Sequence, residues 1–385
     1  MLALRLIRGA QRTALLQRLA VAAVAGVTGF LLLCALGFAL SHPGEPGAAA
    51  TRLLWCLLPL AATTQLAVAV ARAVPGGDSR SGLDAVGLGP AGLPVLAAIS
   101  TAVSCLLGSA LALLVFLHLR GDVTGLPFDG QAADLVAADR PLPVPAALTL
   151  LLVLPAVAAT ASALALRRRA RTAAPGADGT TPGPAPAPAP AELPWGAALV
   201  ALGLALEAYT GHRGADQLPP PGGGAPAPGV VAGWLLVAAG LVLAGPGLVH
   251  LTGRLLAAGR PGAARLLAGR GLQEEARTVG RPVGVLAAVA CGAIAVVTLH
   301  GAVRPFGVLT VLGASVVLAC AIGTALHAAA EARSGRAPAH AVLDRLGAPR
   351  AARHGVRWWR AGALVTVLAP LTWVVARLIA LPLSV

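Results

Sequence analysis

A chain of 385 residues that is 57% hydrophobic and only 11% charged, with a mean hydropathy of +0.80, has too few charged side chains to clothe a soluble surface. Soluble domains carry roughly a quarter charged residues, so the composition excludes that class and specifies a polytopic membrane protein. The net charge of +14 does not indicate nucleic acid, because the basic residues are dispersed and only 3% of the chain is aromatic.

All 29 basic residues are arginine. A P-loop needs a lysine on the phosphates, so the chain has no Walker A motif and is not itself a P-loop ATPase. Arginine in place of lysine, with the bias to Ala, Gly and Pro, matches a very GC-rich bacterial genome and hence a bacterial plasma membrane. Cys34, Cys56, Cys105, Cys291 and Cys320 lie inside apolar runs with no CxxC or Cys/His spacing, and read as small buried hydrophobes. The large Leu33 before Cys34 rules out a lipobox. The first apolar run is long for a signal-peptide core and reads as a retained helix.

With about 20 apolar residues needed per bilayer crossing, the spans in chain order are 19–40, 53–71, 92–118, 143–166, 194–210, 229–250, 283–301, 306–328 and 360–381. The fifth is the weakest, short and carrying Glu207. Cytoplasmic segments retain arginine. With the N-terminus inside, the inner segments hold 23 Arg and the outer ones six, Arg52, Arg120, Arg140, Arg213, Arg304 and Arg377. The expected topology is therefore N-terminus cytoplasmic and C-terminus extracytoplasmic. Residues 167–193, rich in Ala and Pro, form a cytoplasmic linker. Residues 211–228, with Pro219-Pro220-Pro221 and Gly222-Gly223-Gly224, repeat that composition outside.

A fixed offset of 260 residues pairs two halves. Arg5-Leu6 matches Arg265-Leu266, Gly9 matches Gly269, and Leu83, Asp84 and Gly87 match Leu343, Asp344 and Gly347. The first three spans land on the seventh, eighth and ninth. The domains expected are a four-span unit, 1–166; the linker, 167–193; a two-span insert, 194–250; and a second unit, 251–385, truncated by one span.

Each unit opens with a basic amphipathic stretch. Arg5, Arg8 and Arg12 share one helical face, and Arg265, Arg270 and Arg277 lie in the counterpart, 263–281. Such helices are expected to lie flat at the cytoplasmic surface with their arginines near anionic lipid. After the second span of each unit comes a Leu-Asp-x-(Val/Leu)-Gly element: Leu83, Asp84, Val86 and Gly87 in the first, Leu343, Asp344, Leu346 and Gly347 in the second. Gly87 and Gly347 allow a sharp bend, and the apolar side chains beside an Asp suit a knob inserted into a groove of another protein.

Basic helix, span, second span, cytoplasmic turn and long third span resemble the FtsX-like (MacB-type) permeases of ATP-binding-cassette transporters. The four-plus-two-plus-four order is similar to that of the ten-span members. The resemblance covers most of the chain, though its motifs are short. It implies an all-α permease subunit with no catalytic site or cofactor of its own. It also implies that the two Leu-Asp elements lie where a separate P-loop ATPase docks. A second membrane subunit could supply the missing tenth span. Two departures stand out: the outer loops are short where family members commonly carry a large extracytoplasmic domain, and one span is missing. Both favour the alternative, a non-transporting scaffold or regulator derived from such a permease.

Other chemistry is thin. Glu207, His327 and Arg377 fall near span ends, where snorkelling suffices. Ion-coupled transport needs ionisable groups at mid-depth. The eight His are scattered with no HExxH, so no metal site is expected, and Asp122, Asp129, Asp134 and Asp139 read as a solvated acidic loop.

Overall fold

The computed structural model describes residues 2–73, 92–122, 141–173, 190–214, 228–258, 262–300, 307–345 and 350–381, and among them there is no strand. The helices are α1 (Leu2–Ser41), α2 (Pro46–Arg72), α3 (Gly92–Arg120), α4 (Val144–Ala173), α5 (Glu192–Gly214), α6 (Pro228–Ala257), α7 (Ala263–His300), α8 (Val308–Arg345) and α9 (Arg350–Ala380). Each of these nine contains a stretch long and apolar enough to cross a bilayer. The chain is thus an all-α, multi-pass membrane protein, as its composition requires. A helix is the solution because hydrocarbon offers no hydrogen bonds, and only a helix satisfies a single segment's backbone internally.

The basic stretches correct one expectation. Residues 2–18 run without a break into the first span within α1, and 263–281 run into the seventh within α7. Neither forms a separate helix lying flat. At about 1.5 Å per residue, the 38 residues of α7 extend about 57 Å, nearly twice the ~30 Å apolar core. The local reason is the absence of a breaker between Arg12 and the first span, and a Pro282 that α7 absorbs without ending.

Packing divides the chain into two units, Met1–Thr180 with Phe306–Thr324, and Thr181–Pro305 with Ala325–Val385; the division falls inside α8. In the first, α1 packs against α2, α3 and α4, and both α2 and α3 pack on α4. Helices α1 and α3 cross at glycines: a β-carbon added at Gly26 would lie 3.1 Å from the Gly108 carbonyl oxygen. Small residues let main chains approach where lipid supplies no hydrophobic drive between helices. The hydroxyls of Thr28 and Thr63, both fully buried, share a 2.9 Å hydrogen bond between α1 and α2. Ser109 Oγ donates to the Leu151 carbonyl of α4 at 3.2 Å. Val21, Ala25, Leu66, Cys105, Leu154 and Cys320 fill one core. The opposite face of α3 turns Leu106, Leu107, Leu111 and Leu114 outward, an apolar ribbon suited to lipid.

In the second unit α6 packs on both α5 and α7, and α9 packs on α7. Again glycines set the approach. A β-carbon at Gly203 of α5 would lie 2.7 Å from the Gly233 carbonyl oxygen of α6. Where α6 meets α7, one at Gly280 would lie 2.6 Å from the nitrogen of Pro246, and one at Gly284 would lie 2.6 Å from the Leu241 carbonyl oxygen. Val237, Leu241, Cys291, Val375 and Ala376 form one core; Val249, Leu272 and Ala276 belong to another. The 260-residue offset pairs α1 with α7 and α3 with α9. Within its own unit α1 packs on α3, and within its own α7 packs on α9.

Candidate functional site

Of the two Leu-Asp elements, only Leu343 and Asp344 of the second lie among the described residues. Leu83, Asp84, Val86 and Gly87 lie outside the described residues, as do Leu346 and Gly347. Leu343 and Asp344 sit in the last turn of α8, which continues the eighth span without interruption. The described part of the second element, Leu343 and Asp344, is therefore the end of a long helix, where the sequence suggested a cytoplasmic turn.

The basic residues separate into distinct roles. Arg5, Arg8 and Arg12 occupy the first turns of α1. Arg270 and Arg277 are exposed on α7. Arg265 instead reaches a neighbour: its Nε–H donates to the Leu256 carbonyl at 3.0 Å, in the last turn of α6. Carbonyls at a helix C-terminus lack intrahelical donors and carry partial negative charge, so a guanidinium there satisfies both needs. Arg281 pairs with Glu192 of α5 at 3.2 Å, with both side chains exposed.

The second unit holds a cleft of about 350 Å³ between α7, α8 and α9, on the arginine-rich halves of these helices. Three guanidinium-bearing residues, Arg333, Arg357 and Arg360, and one acid, Glu275, line it, with Val279 and Leu364 among its apolar walls. Arg360 Nη1 lies 3.4 Å from Glu275 Oε1, and the two side chains are only 14% and 17% exposed. Gly271 makes room for this guanidinium, since a β-carbon there would overlap Arg360 Nη2. Arg360 Nε is buried without a hydrogen-bond acceptor among the described residues. Arg333 is exposed, and its Nε–H donates to the Ala329 carbonyl one turn back at 3.1 Å. Arg357 is exposed, beside Trp358 and Trp359, which are 78% and 50% exposed. One carboxylate against three guanidiniums leaves the cleft with an excess of two positive charges.

A second polar feature lies between α5 and α6. Glu207, expected to snorkel from a span end, is instead fully buried. Its Oε1 accepts a 2.6 Å hydrogen bond from Trp234 Nε1, while Oε2 has no partner among the described residues. Gly233, next to the tryptophan, lets α6 approach: a β-carbon there would lie 3.2 Å from the Glu207 β-carbon. The side chain cannot snorkel because the α5–α6 crossing covers it. His327 is half-buried, and Arg377 lies over the Trp373 ring with 5.3 Å to its centroid, in keeping with an interfacial position.

Sequence reading missed both features because each joins residues from different helices. Glu275 and Arg360 are 85 positions apart, and Glu207 and Trp234 are 27 apart. The available signal was local: Arg357 and Arg360 share a helical face by i, i+3 spacing, beside two tryptophans. No group of His, Cys, Asp or Glu among the described residues is arranged to hold a metal. No protein-family model, curated protein or solved structure matches the chain.

Proposed function

We propose that this chain is the transmembrane permease subunit of an ABC-type transporter or mechanotransmission complex, seated in a bacterial plasma membrane with its arginine-rich ends in the cytoplasm and driven by a separate P-loop ATPase. The observation that carries the reading is α8. Its 38 residues make one helix that joins Leu343 and Asp344 to the span Val308–Gly335. A hydrogen-bonded helix is stiff along its axis, so a partner pressing on its end would displace the span rather than bend a loop. ATP binding in the partner would bring two ATPase domains together and move the elements around Asp84 and Asp344. The absence of lysine from the chain supports placing the nucleotide site on another subunit.

The test is co-purification with a P-loop ATPase from the native membrane, for the wild type and for the double variant Asp84→Ala/Asp344→Ala. Retained folding of the variant, checked by its melting profile, together with lost association is the expected result. Unchanged association would remove both residues from the docking assignment. Orientation is checked with an impermeant maleimide: Arg168→Cys should react only in inverted vesicles and Arg213→Cys only in intact cells.

One observation favours the alternative of a scaffold or regulator. The connection between α1 and α2 is only residues 42–45, too short to hold an outer domain. A complex whose ATPase turns over at the same rate with and without this chain would favour that reading.

A further inference from the structure

Arginines placed only to set membrane orientation would have no reason to converge, yet three line one cleft between the arginine-rich halves of α7, α8 and α9. We propose that this cleft is a binding site for a phosphate-bearing anion, as found on an anionic phospholipid headgroup or a soluble phosphoester. Three properties specify that chemistry. The charge balance is positive, since Glu275 neutralises only one of Arg333, Arg357 and Arg360. Guanidinium groups present planar donor pairs that match phosphate oxygens, and Arg333 and Arg357 are exposed where they line the cleft. The volume, about 350 Å³, is at the lower end of small-ligand sites, which run from about 300 to 1,000 Å³.

Two further features point to the lipid source. Val279 and Leu364 give the cleft apolar walls beside its arginines, so a ligand with a charged head and a hydrocarbon stem meets matching surface on both parts. Trp358 and Trp359, exposed beside Arg357, have the amphipathic rings that settle at headgroup depth. Basic pockets between transmembrane helices are a recurring way to hold anionic headgroups. This inference stands independently of the ATPase reading, because it needs only the second unit and its bilayer.

The experiment titrates the detergent-purified full-length chain with phosphatidylglycerol, phosphatidylcholine or inorganic phosphate, following thermal stabilisation to obtain apparent affinities. Three proteins are compared: wild type, Arg333→Gln/Arg357→Gln in the cleft, and Arg270→Gln/Arg277→Gln on exposed α7 positions outside it. Both variants replace exposed side chains and leave the Glu275–Arg360 pair intact, so their ligand-free melting should match the wild type. Wild type should prefer phosphatidylglycerol to phosphatidylcholine. With about fivefold in affinity per arginine facing an anionic lipid, the cleft variant should lose about 25-fold and the α7 variant little. If inorganic phosphate reproduces the stabilisation and the cleft variant abolishes it, the source is a soluble phosphoester; if only phosphatidylglycerol does so, it is lipid. Equal affinities across the three proteins, equal binding of the two lipids by wild type, or an equal loss in both variants would overturn the site.

Discussion

The buried carboxyl of Glu207 and the indole of Trp234 should behave as one coupled unit, and a double-mutant cycle measures the coupling. Trp234→Phe keeps an aromatic side chain but removes the donor to Oε1, leaving both oxygens of a fully buried carboxyl without partners among the described residues. Stranding a buried polar group costs about 1–3 kcal/mol. Glu207→Leu removes the acceptor from an indole that is only half-buried, so its cost should be the smaller of the two. The double variant replaces both partners with apolar groups and should be less unstable than the sum. Interhelical hydrogen bonds measured in a membrane protein average about 0.6 kcal/mol and reach about 1.7. A 2.6 Å bond to a carboxyl belongs toward the upper end of that range. Differential melting in detergent reads it, at about 2–4 °C per kcal/mol for a body of 150–250 residues. Strict additivity would refute the reasoning, and so would a Trp234→Phe variant that melts with the wild type. Glu207→Gln, which retains the acceptor for Trp234, should stay close to the wild type.

Gly280→Ala should destabilise by about 1–3 kcal/mol, because the added carbon meets the α6 main chain, which cannot rotate away. Gly355→Ala, open to space within 4 Å, should be neutral or slightly stabilising in the same melting assay. Gly271→Ala should push the Arg360 guanidinium aside, because the added carbon would overlap Nη2, and so disturb its contact with Glu275; a melting temperature equal to the wild type's would contradict the packing. The cysteines supply a further check, since Cys34, Cys105, Cys291 and Cys320 are buried whereas Cys56 is less covered. Maleimide should label Cys56 first and reach the other four only on denaturation.

The spans were legible because their signal is local: a run of Leu, Ala and Val of bilayer length needs no partner to declare itself. The expected 194–210 falls inside the apolar stretch Glu192–Thr210 of α5, even though Glu207 made it the weakest. The basic stretches were legible as helices but not as continuations of the spans. An amphipathic face and an apolar segment can adjoin with or without a bend, and only packing decides. The glycine crossings were hidden for a different reason. With 47 glycines in the chain, composition cannot say which meet. The register of α6 against α7 selects Gly245, Gly280 and Gly284, and register is a property of two helices together. For the same reason Glu207 was read from its distance to a span end, whereas its surroundings depend on Trp234 and Gly233 of the next helix.

The crossing of α6 and α7 also answers a question that Pro246 raises. A proline has no N–H, so within α6 the carbonyl four residues earlier, that of Val242, loses its helical donor. In water such an oxygen would be hydrated, but in hydrocarbon an unmatched carbonyl is costly. The structure sets Gly284 of α7 against this stretch: a β-carbon there would lie 2.6 Å from the Leu241 oxygen and 3.1 Å from the Val242 oxygen, so the glycine lets the α7 main chain come up to both. Cα–H contacts to carbonyl oxygens are weak, worth about 0.5–1 kcal/mol. Gly284 thus acts as a cover for a gap in its neighbour's hydrogen-bond ladder. The proline of one helix and the glycine of the other form a matched pair that a single substitution on either side would unbalance.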